Sequence, residues 1–277
     1  MELTSISNIK SLLKKHNAVP SKRFGQNFLI DKNIIKKILN QAELSPKDVV
    51  LEIGPGIGTM TIELARKAKK IIAVEKDPKM VEILKETTQD FQNIEIINKD
   101  IMKYEVPKIK YRDYKVVANL PYYITSPVIR KLLETENKPK EIILMVQKEV
   151  AQRICARPPK TNLLAISVQF YAKPKIISYV SKKAFFPKPK VDSAIIQLKI
   201  SGQNSKIDRE KFFKIVKAGF SHPRKQLANN LLKELDFLGK EINKEKIISL
   251  LAKKGILATQ RPETLLLKNW IELTKIL

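Results

Sequence analysis

Asn119-Leu120-Pro121-Tyr122 is a stretch whose side chains and backbone could hold the exocyclic amino group of a planar base. Such a nitrogen on adenine is a poor nucleophile, because its lone pair is delocalised into the ring and must be drawn out of conjugation before it attacks. An Asn side-chain oxygen, together with a backbone carbonyl that Pro presents rigidly, can accept the two N–H bonds and favour a pyramidal nitrogen aimed at an alkyl donor. No strong base is required. The nitrogen turns cationic as the new bond forms and then sheds its proton readily, so positioning carries most of the barrier reduction. Tyr122 adds a flat face for stacking, a contact worth about 1–3 kcal/mol per base. The same four residues also suit an ordinary turn, so their surroundings decide the matter.

Those surroundings begin with Val49-Val50-Leu51-Glu52-Ile53, an apolar run that breaks into Gly54-Pro55-Gly56-Ile57-Gly58 and resumes as the helix-like Thr59 to Ala65. Strand, tight turn and helix are predicted. Glycines at that junction let the backbone approach a ligand lying across the carboxyl end of the strand, where open α/β sheets bind cofactors. A dinucleotide fingerprint would place its third glycine three positions after the second, but that position is Thr59 and the glycine arrives early at Gly58. The spacing disfavours NAD.

A second strand, Ile71 to Val74, ends in Glu75, a carboxylate able to accept both hydroxyls of a ribose. A third, Ile94 to Asn98, is followed by Asp100, suited to an adenine amino group; a fourth, Lys115 to Ala118, delivers Asn119. Taken singly, each acid is more simply a helix cap or a solvated loop charge. Together, at the carboxyl ends of successive strands, they fit a methyl donor that carries an adenosine and a sulfonium, S-adenosyl-L-methionine. Glu52 either complements the sulfonium at longer range or fixes the glycine loop, and the second role is the simpler expectation.

With these residues in view, the chain resembles the ribosomal RNA adenine dimethyltransferases, and within them the small-subunit type. The resemblance rests on Lys22-Arg23-Phe24-Gly25-Gln26-Asn27-Phe28-Leu29, the glycine loop, Asn119-Leu120-Pro121-Tyr122, Gln147-Lys148-Glu149-Val150 and Ala184-Phe185-Phe186-Pro187-Lys188-Pro189-Lys190-Val191-Asp192-Ser193. It implies that the segment containing Gln26, Asn27 and Leu29 folds over the methionine end of the cofactor, which these residues contact together with Gly54, Gly56, Glu75, Asp100 and Asn119. It further implies that Phe185 holds the target adenine from the face opposite Tyr122. Residue 186 is Phe where such proteins often carry a small polar residue, which leaves open which ring faces the base. The implied reaction dimethylates two adjacent adenosines in a loop near the 3′ end of small-subunit RNA, on a pre-ribosomal small subunit. Two other classes stand beside it: methylation of large-subunit RNA of the macrolide-resistance type, and a non-enzymatic RNA-binding assembly or organellar transcription factor.

Charge agrees with an RNA partner. Lys and Arg number 53 against 28 Asp and Glu, a formal net charge of +25, which attracts phosphates over long distances and gives affinity that weakens with salt. Lys22 and Arg23, Arg153 and Arg157 with Lys160, and Arg224 and Lys225 are the candidate RNA contacts. No apolar run reaches roughly 18 residues and Met1 to Lys15 is interrupted by polar residues, so neither a membrane span nor a signal peptide is expected. A single cysteine, Cys155, suits a reducing cytoplasm. His16 and His222 lack ligand-like partners, and no metal is expected. A monomer is expected.

The elements that must position the site follow from periodicity. An N-terminal helix through about Asn17, with Ile9, Leu12 and Leu13 as its apolar positions, precedes a Rossmann-like, doubly wound α/β sheet. Further strands are predicted at Glu141 to Val146, Lys175 to Val180 and Ala194 to Ile200, completing a mostly parallel sheet with a hairpin at one edge. Residues 201–205 read as a linker. Beyond it, Phe212, Phe213, Ile215, Val216, Leu227, Leu231, Leu232, Ile247, Ile248 and Leu251 recur at helical spacing. The expected division is therefore a catalytic methyltransferase domain over 1–200 and a small helical, rRNA-contacting domain over 207–277, in which Ser221 to Gln226 opens a helix with Pro223 near its first turn.

Overall fold

A computed structural model of the chain describes residues 1–106, 111, 113–234 and 243–277. Apolar runs and helix-periodic segments alternate along the sequence, and they fold as alternating strands and helices. In chain order these are α1 (Ile6–Lys15), β1 (Phe28–Leu29), α2 (Lys32–Ala42), β2 (Val49–Ile53), α3 (Thr59–Ala65), β3 (Lys70–Glu75), α4 (Pro78–Thr87), β4 (Ile94–Asn98), β5 (Lys115–Asn119), α5 (Thr125–Glu134), β6 (Glu141–Gln147) and α6 (Lys148–Ile154). There follow α7 (Leu163–Tyr171), β7 (Ala172–Val180), β8 (Phe185–Phe186), β9 (Ser193–Ile200), α8 (Arg209–Gly219), α9 (Leu227–Glu234), α10 (Lys244–Ala252) and α11 (Leu267–Ile276).

The main sheet runs β4-β3-β2-β5-β6-β9-β7. β2 pairs in parallel with β3 on one side and β5 on the other, so strand order reverses at β2 and a crevice opens at the carboxyl ends of these strands. Antiparallel β9 lies between β6 and β7, the predicted edge hairpin. β2 is buried at every residue, as expected of a parallel strand covered on both faces. Helix α1 buries Ile9, Leu12 and Leu13, the three residues its periodicity selects, in a cluster with Phe28, Ile57, Met80 and Ile83.

The chain divides into two compact units, one comprising Met1–Ala151 with Pro174–Ile200 and the other Gln152–Lys173 with Ser201–Leu277. The boundary departs from the expected break near residue 200, because α7 joins the helical unit. Phe170 stacks on Phe212 at 4.3 Å between centroids and Tyr171 stacks on Phe213 at 5.8 Å, while the Thr161 hydroxyl donates to the Glu263 carbonyl at 3.0 Å. A second departure is local. Ser221 to Gln226 is a turn and the helix starts only at Leu227, since Asn230 Nδ2 holds the carbonyls of Gly219 and His222 at 2.6 and 3.0 Å.

Candidate active site

The crevice at the β2 reversal is walled by the segment Phe24 to Leu29, the Gly54 to Ile57 turn, the β3 end with Glu75 and Lys76, Asp100, and Asn119 to Ile124. The glycine turn is built for close approach. Gly56 has φ +58° and a side chain there would meet Phe28 Cε1 at 3.2 Å, while its amide donates to Glu75 Oε2 at 3.1 Å. Gly58 answers the unusual spacing differently: at φ +89°, a Cβ would lie 2.9 Å from Leu84 and Thr87, so its bare backbone lets the turn before α3 sit against α4. Gly54, also on the wall, donates to the Val74 carbonyl at 3.0 Å.

Glu75 is 7% exposed and its second oxygen accepts from the Asp77 amide at 2.8 Å. Burial raises its pKa, and the backbone donors of Asp77 and Gly56 offset part of that rise. Asp100 accepts from the Met102 amide and pairs with Lys76 at 2.8 Å, which holds its pKa below the usual carboxylate range. An adenine amino group would therefore share Asp100 with a half-exposed ammonium. Gln26 lines the crevice but spends its amide elsewhere, accepting from Ser21 at 2.7 Å and donating to Asp77 at 2.8 Å. It braces the segment rather than offering free donors. Leu29 lies on the wall, buried.

Asn119 is oriented by its partner. Its Nδ2 donates to the Asn27 carbonyl at 3.0 Å, and because a carbonyl can only accept, this bond fixes which end of the amide faces it. Oδ1 is thereby left for a ligand. The Pro121 carbonyl accepts from the Ile124 amide at 3.2 Å, which leaves the Leu120 carbonyl as the better second acceptor. Tyr122 is half-buried, its hydroxyl bonded to Ser193 at 2.8 Å and its pKa raised by burial, so a neutral ring forms the wall.

Phe185 differs from expectation. It is 3% exposed, pairs with Leu29 across the short β1–β8 ladder, packs with Val180, Ala184 and Ile195, and is not on the crevice wall. Phe186, half-buried, packs toward the α1 cluster instead. Strand pairing sets Phe185 against Leu29 in the core, while Phe186, opposite Phe28, lies half-buried on the α1 side.

The basic candidates are exposed. Lys22 and Arg23 sit on the turn before the crevice, Arg23 lying over the Phe24 ring at 5.9 Å. Arg153, Arg157 and Lys160 belong to the helical unit. There, too, Arg224 and Lys225 line an open groove with Gln226, Asn229, Lys233 and Arg261. Lys233 and Arg261 are not among the RNA contacts expected from sequence, where nothing local ties them to residues 224 and 225. Among the described residues no group of His, Cys, Asp or Glu could hold a metal, and no helix is long and apolar enough to cross a membrane.

Glu52 is the residue whose importance sequence reasoning understated. It lines the crevice, is 1% exposed, and neither of its oxygens has a hydrogen-bond partner. The glycine turn is fastened by Glu75, not by Glu52 as expected. A buried, unsatisfied carboxyl on the same crevice wall as Glu75, Asp100 and the glycine turn fits a cationic ligand.

Fold and site together define a methyltransferase that uses S-adenosyl-L-methionine. The model of the family "Ribosomal RNA adenine dimethylase" matches residues 18–271, and the chain belongs to that family. It is 41% identical over 275 residues to a protein of Dehalococcoides mccartyi strain CBDB1 named ribosomal RNA small subunit methyltransferase A, covering 97% of this chain and 92% of that one. A protein of the same name from Clostridioides difficile is 40% identical, covering 99% and 96%. Among solved structures, a dimethyladenosine transferase from Plasmodium falciparum superposes with TM-score 0.77 at 28% identity, over 89% of this chain and 95% of that one. The 23S rRNA methyltransferase ErmE gives 0.74 at 26%, over 90% and 98%.

Proposed function

We propose that this enzyme transfers methyl groups from S-adenosyl-L-methionine to the exocyclic amino nitrogens of two adjacent adenosines, in a loop near the 3′ end of small-subunit rRNA. Each would become dimethyladenosine during ribosome biogenesis, in the cytoplasm, with the enzyme acting as a monomer on the pre-ribosomal small subunit. The observation that carries the reading is Asn119, whose amide is locked by Asn27 with Oδ1 free on the wall shared with Glu75 and the glycine turn.

The cofactor supplies, when bound, an electrophilic methyl carbon on a positively charged sulfur. Glu75 accepts the ribose hydroxyls, Asp100 the adenine amino group, and Asn27, Leu29, Gly54 and Gly56 enclose the remainder. Asn119 Oδ1 and the Leu120 carbonyl accept the two N–H bonds of the target base, which Tyr122 holds by stacking; Pro121 keeps the carbonyl rigid. The nitrogen's proton leaves to solvent after the methyl arrives. Once one methyl is on, a single N–H remains, so the nitrogen rotates and only one acceptor is used in the second transfer. A loop base is already poorly stacked, which lowers the cost of turning it into the crevice.

The names of the relatives near 40% identity favour the small subunit over the large, and the assembled crevice favours catalysis over a purely scaffolding role. Small subunits, large subunits and free RNA should be incubated with enzyme and donor, digested to nucleosides and measured by mass spectrometry. Dimethyladenosine is expected, most abundantly on immature small subunits. Modification of large subunits alone would reject the small-subunit assignment, and an end point at monomethyladenosine would reject dimethylation.

A further inference from the structure

The site contains one buried acid that the reading above does not use. Glu52 pairs in register with Ala73 on β3 and with Val117 on β5, two residues before Glu75 and Asn119 respectively. Residues two apart on a strand share a face, so Glu52, Glu75 and Asn119 project to the same side of the sheet, with Glu52 on β2 between the other two strands and the most buried of the three. In the methyl donor, sulfur links the ribose to the departing methyl. A ribose at Glu75 on β3 and a methyl directed at a nitrogen on Asn119 of β5 would put that sulfur over β2, between them.

We infer that Glu52 recognises the positive charge on the donor's sulfur, losing its proton as the donor binds and regaining one after the charge is gone, so that the site grips donor and releases demethylated product. This rests on the proposed role of the crevice as the S-adenosyl-L-methionine site.

Among the described residues, no charged partner of opposite sign reaches Glu52. Both oxygens are buried and neither makes a hydrogen bond of normal geometry; the Thr61 hydroxyl on α3, likewise unsatisfied, is the neutral polar neighbour that acts on them. The neighbouring strands place Ala73 and Val117 beside it in register, and Asn27 and Asn119 share the crevice wall with it, none of which titrates. The charged group that acts on it is Glu75, of the same sign. Burial foremost, and Glu75 in addition, push the Glu52 pKa up to about 8, with Thr61 tempering the rise. The resting group at neutral pH is therefore the neutral acid, and a cation arriving against it would favour ionisation. Charge balances through the cycle. One proton leaves Glu52 to solvent as the sulfonium binds; methyl transfer leaves a neutral thioether and a cationic amine; the amine loses one proton, and Glu52 takes one up.

Calorimetric titration of the whole protein at about pH 7, in buffers of different ionisation enthalpy, counts protons released on binding. S-Adenosylmethionine should release a substantial fraction of a proton, whereas S-adenosylhomocysteine, with the same ribose and ammonium but no sulfonium, should release little. Protons from Glu75 would appear with both ligands and cancel in the difference. In Glu52→Gln the difference should vanish, and affinity for S-adenosylmethionine should fall about tenfold while that for S-adenosylhomocysteine changes little. Equal proton counts for both ligands in the wild-type protein, a measurement that needs no variant, would overturn the inference, as would equal weakening of both ligands in Glu52→Gln. Failure of the wild-type protein to bind either ligand would instead overturn the reading of the crevice.

Discussion

The crevice at the strand ends and the basic groove of the helical unit recognise ligands by opposite means. In the crevice nearly every polar group is already committed: Glu75 to two backbone amides, Gln26 to Ser21 and Asp77, Asn119 to Asn27, Tyr122 to Ser193. What remains available, such as Asn119 Oδ1, is fixed in direction. In the groove, Arg224, Lys225, Lys233 and Arg261 are exposed cations on flexible stems. The first arrangement suits a reaction whose barrier falls by orientation, the second an affinity set by charge and tunable by salt. Substitutions should therefore separate rate from affinity.

The largest effect is expected at Asn119. Asn119→Ala removes a preorganised acceptor that acts on the reacting nitrogen, and the single-turnover rate at saturating donor and RNA should fall about 100- to 1,000-fold. RNA affinity and its salt dependence should stay near wild type, because neither depends on this side chain. An unchanged rate would remove Asn119 from the reaction and blur the contrast between the two regions.

Glu75→Ala comes next. It deletes the acceptor for the ribose and frees the Gly56 and Asp77 amides, so donor affinity measured by calorimetry should weaken by about 1.5–3 kcal/mol, the range for a hydrogen bond to a charged group. Binding like wild type in a folded variant would exclude Glu75 from the site.

Glu52 gives a stability signature in the free protein. Its pKa is raised from 4.5 to about 8, so between those values the folded chain holds a proton that the unfolded chain has lost. The stabilisation is fully present below about pH 4.5 and is lost as pH rises through about 8. Glu52→Gln should flatten that part of the profile and, at alkaline pH, leave the variant more stable by on the order of a few kcal/mol. Denaturant melts across pH measure it; parallel profiles for the two proteins would mean that Glu52 is ionised at rest.

What sequence reveals about these regions follows from the range of the interactions that form them. The crevice was largely legible because a strand, its end residue and the next turn are contiguous, so Glu75, Asp100, Asn119 and the glycines could be placed one element at a time. α1 was legible for the same reason, its three apolar positions being the three it buries. The Phe185 ring was not, since its burial depends on a two-residue ladder with Leu29, far away in sequence. Nor was the membership of α7, which the Phe170–Phe212 stack decides. The orphaned state of Glu52 is an absence of partners in three dimensions, and no spacing announces that.

The smallest effect per residue is expected in the groove, and it sharpens the comparison most directly. Each cation that meets a phosphate releases counterions, and for RNA each such contact adds about 0.7–0.9 to the slope of log affinity against log salt. Both Arg224 and Arg261 are exposed, so replacing them with Ala should cost the fold little. The double variant should bind RNA several-fold more weakly at low salt, with a slope shallower by about 1–2, while the single-turnover rate at saturating RNA stays near wild type. Filter binding over a salt series, paired with that rate, tests both halves at once. An unchanged slope would take the groove out of the RNA interface. A lost rate at saturation with an unchanged slope would mean that these arginines orient the substrate, and the division between a crevice that sets rate and a groove that sets affinity would fail at the groove.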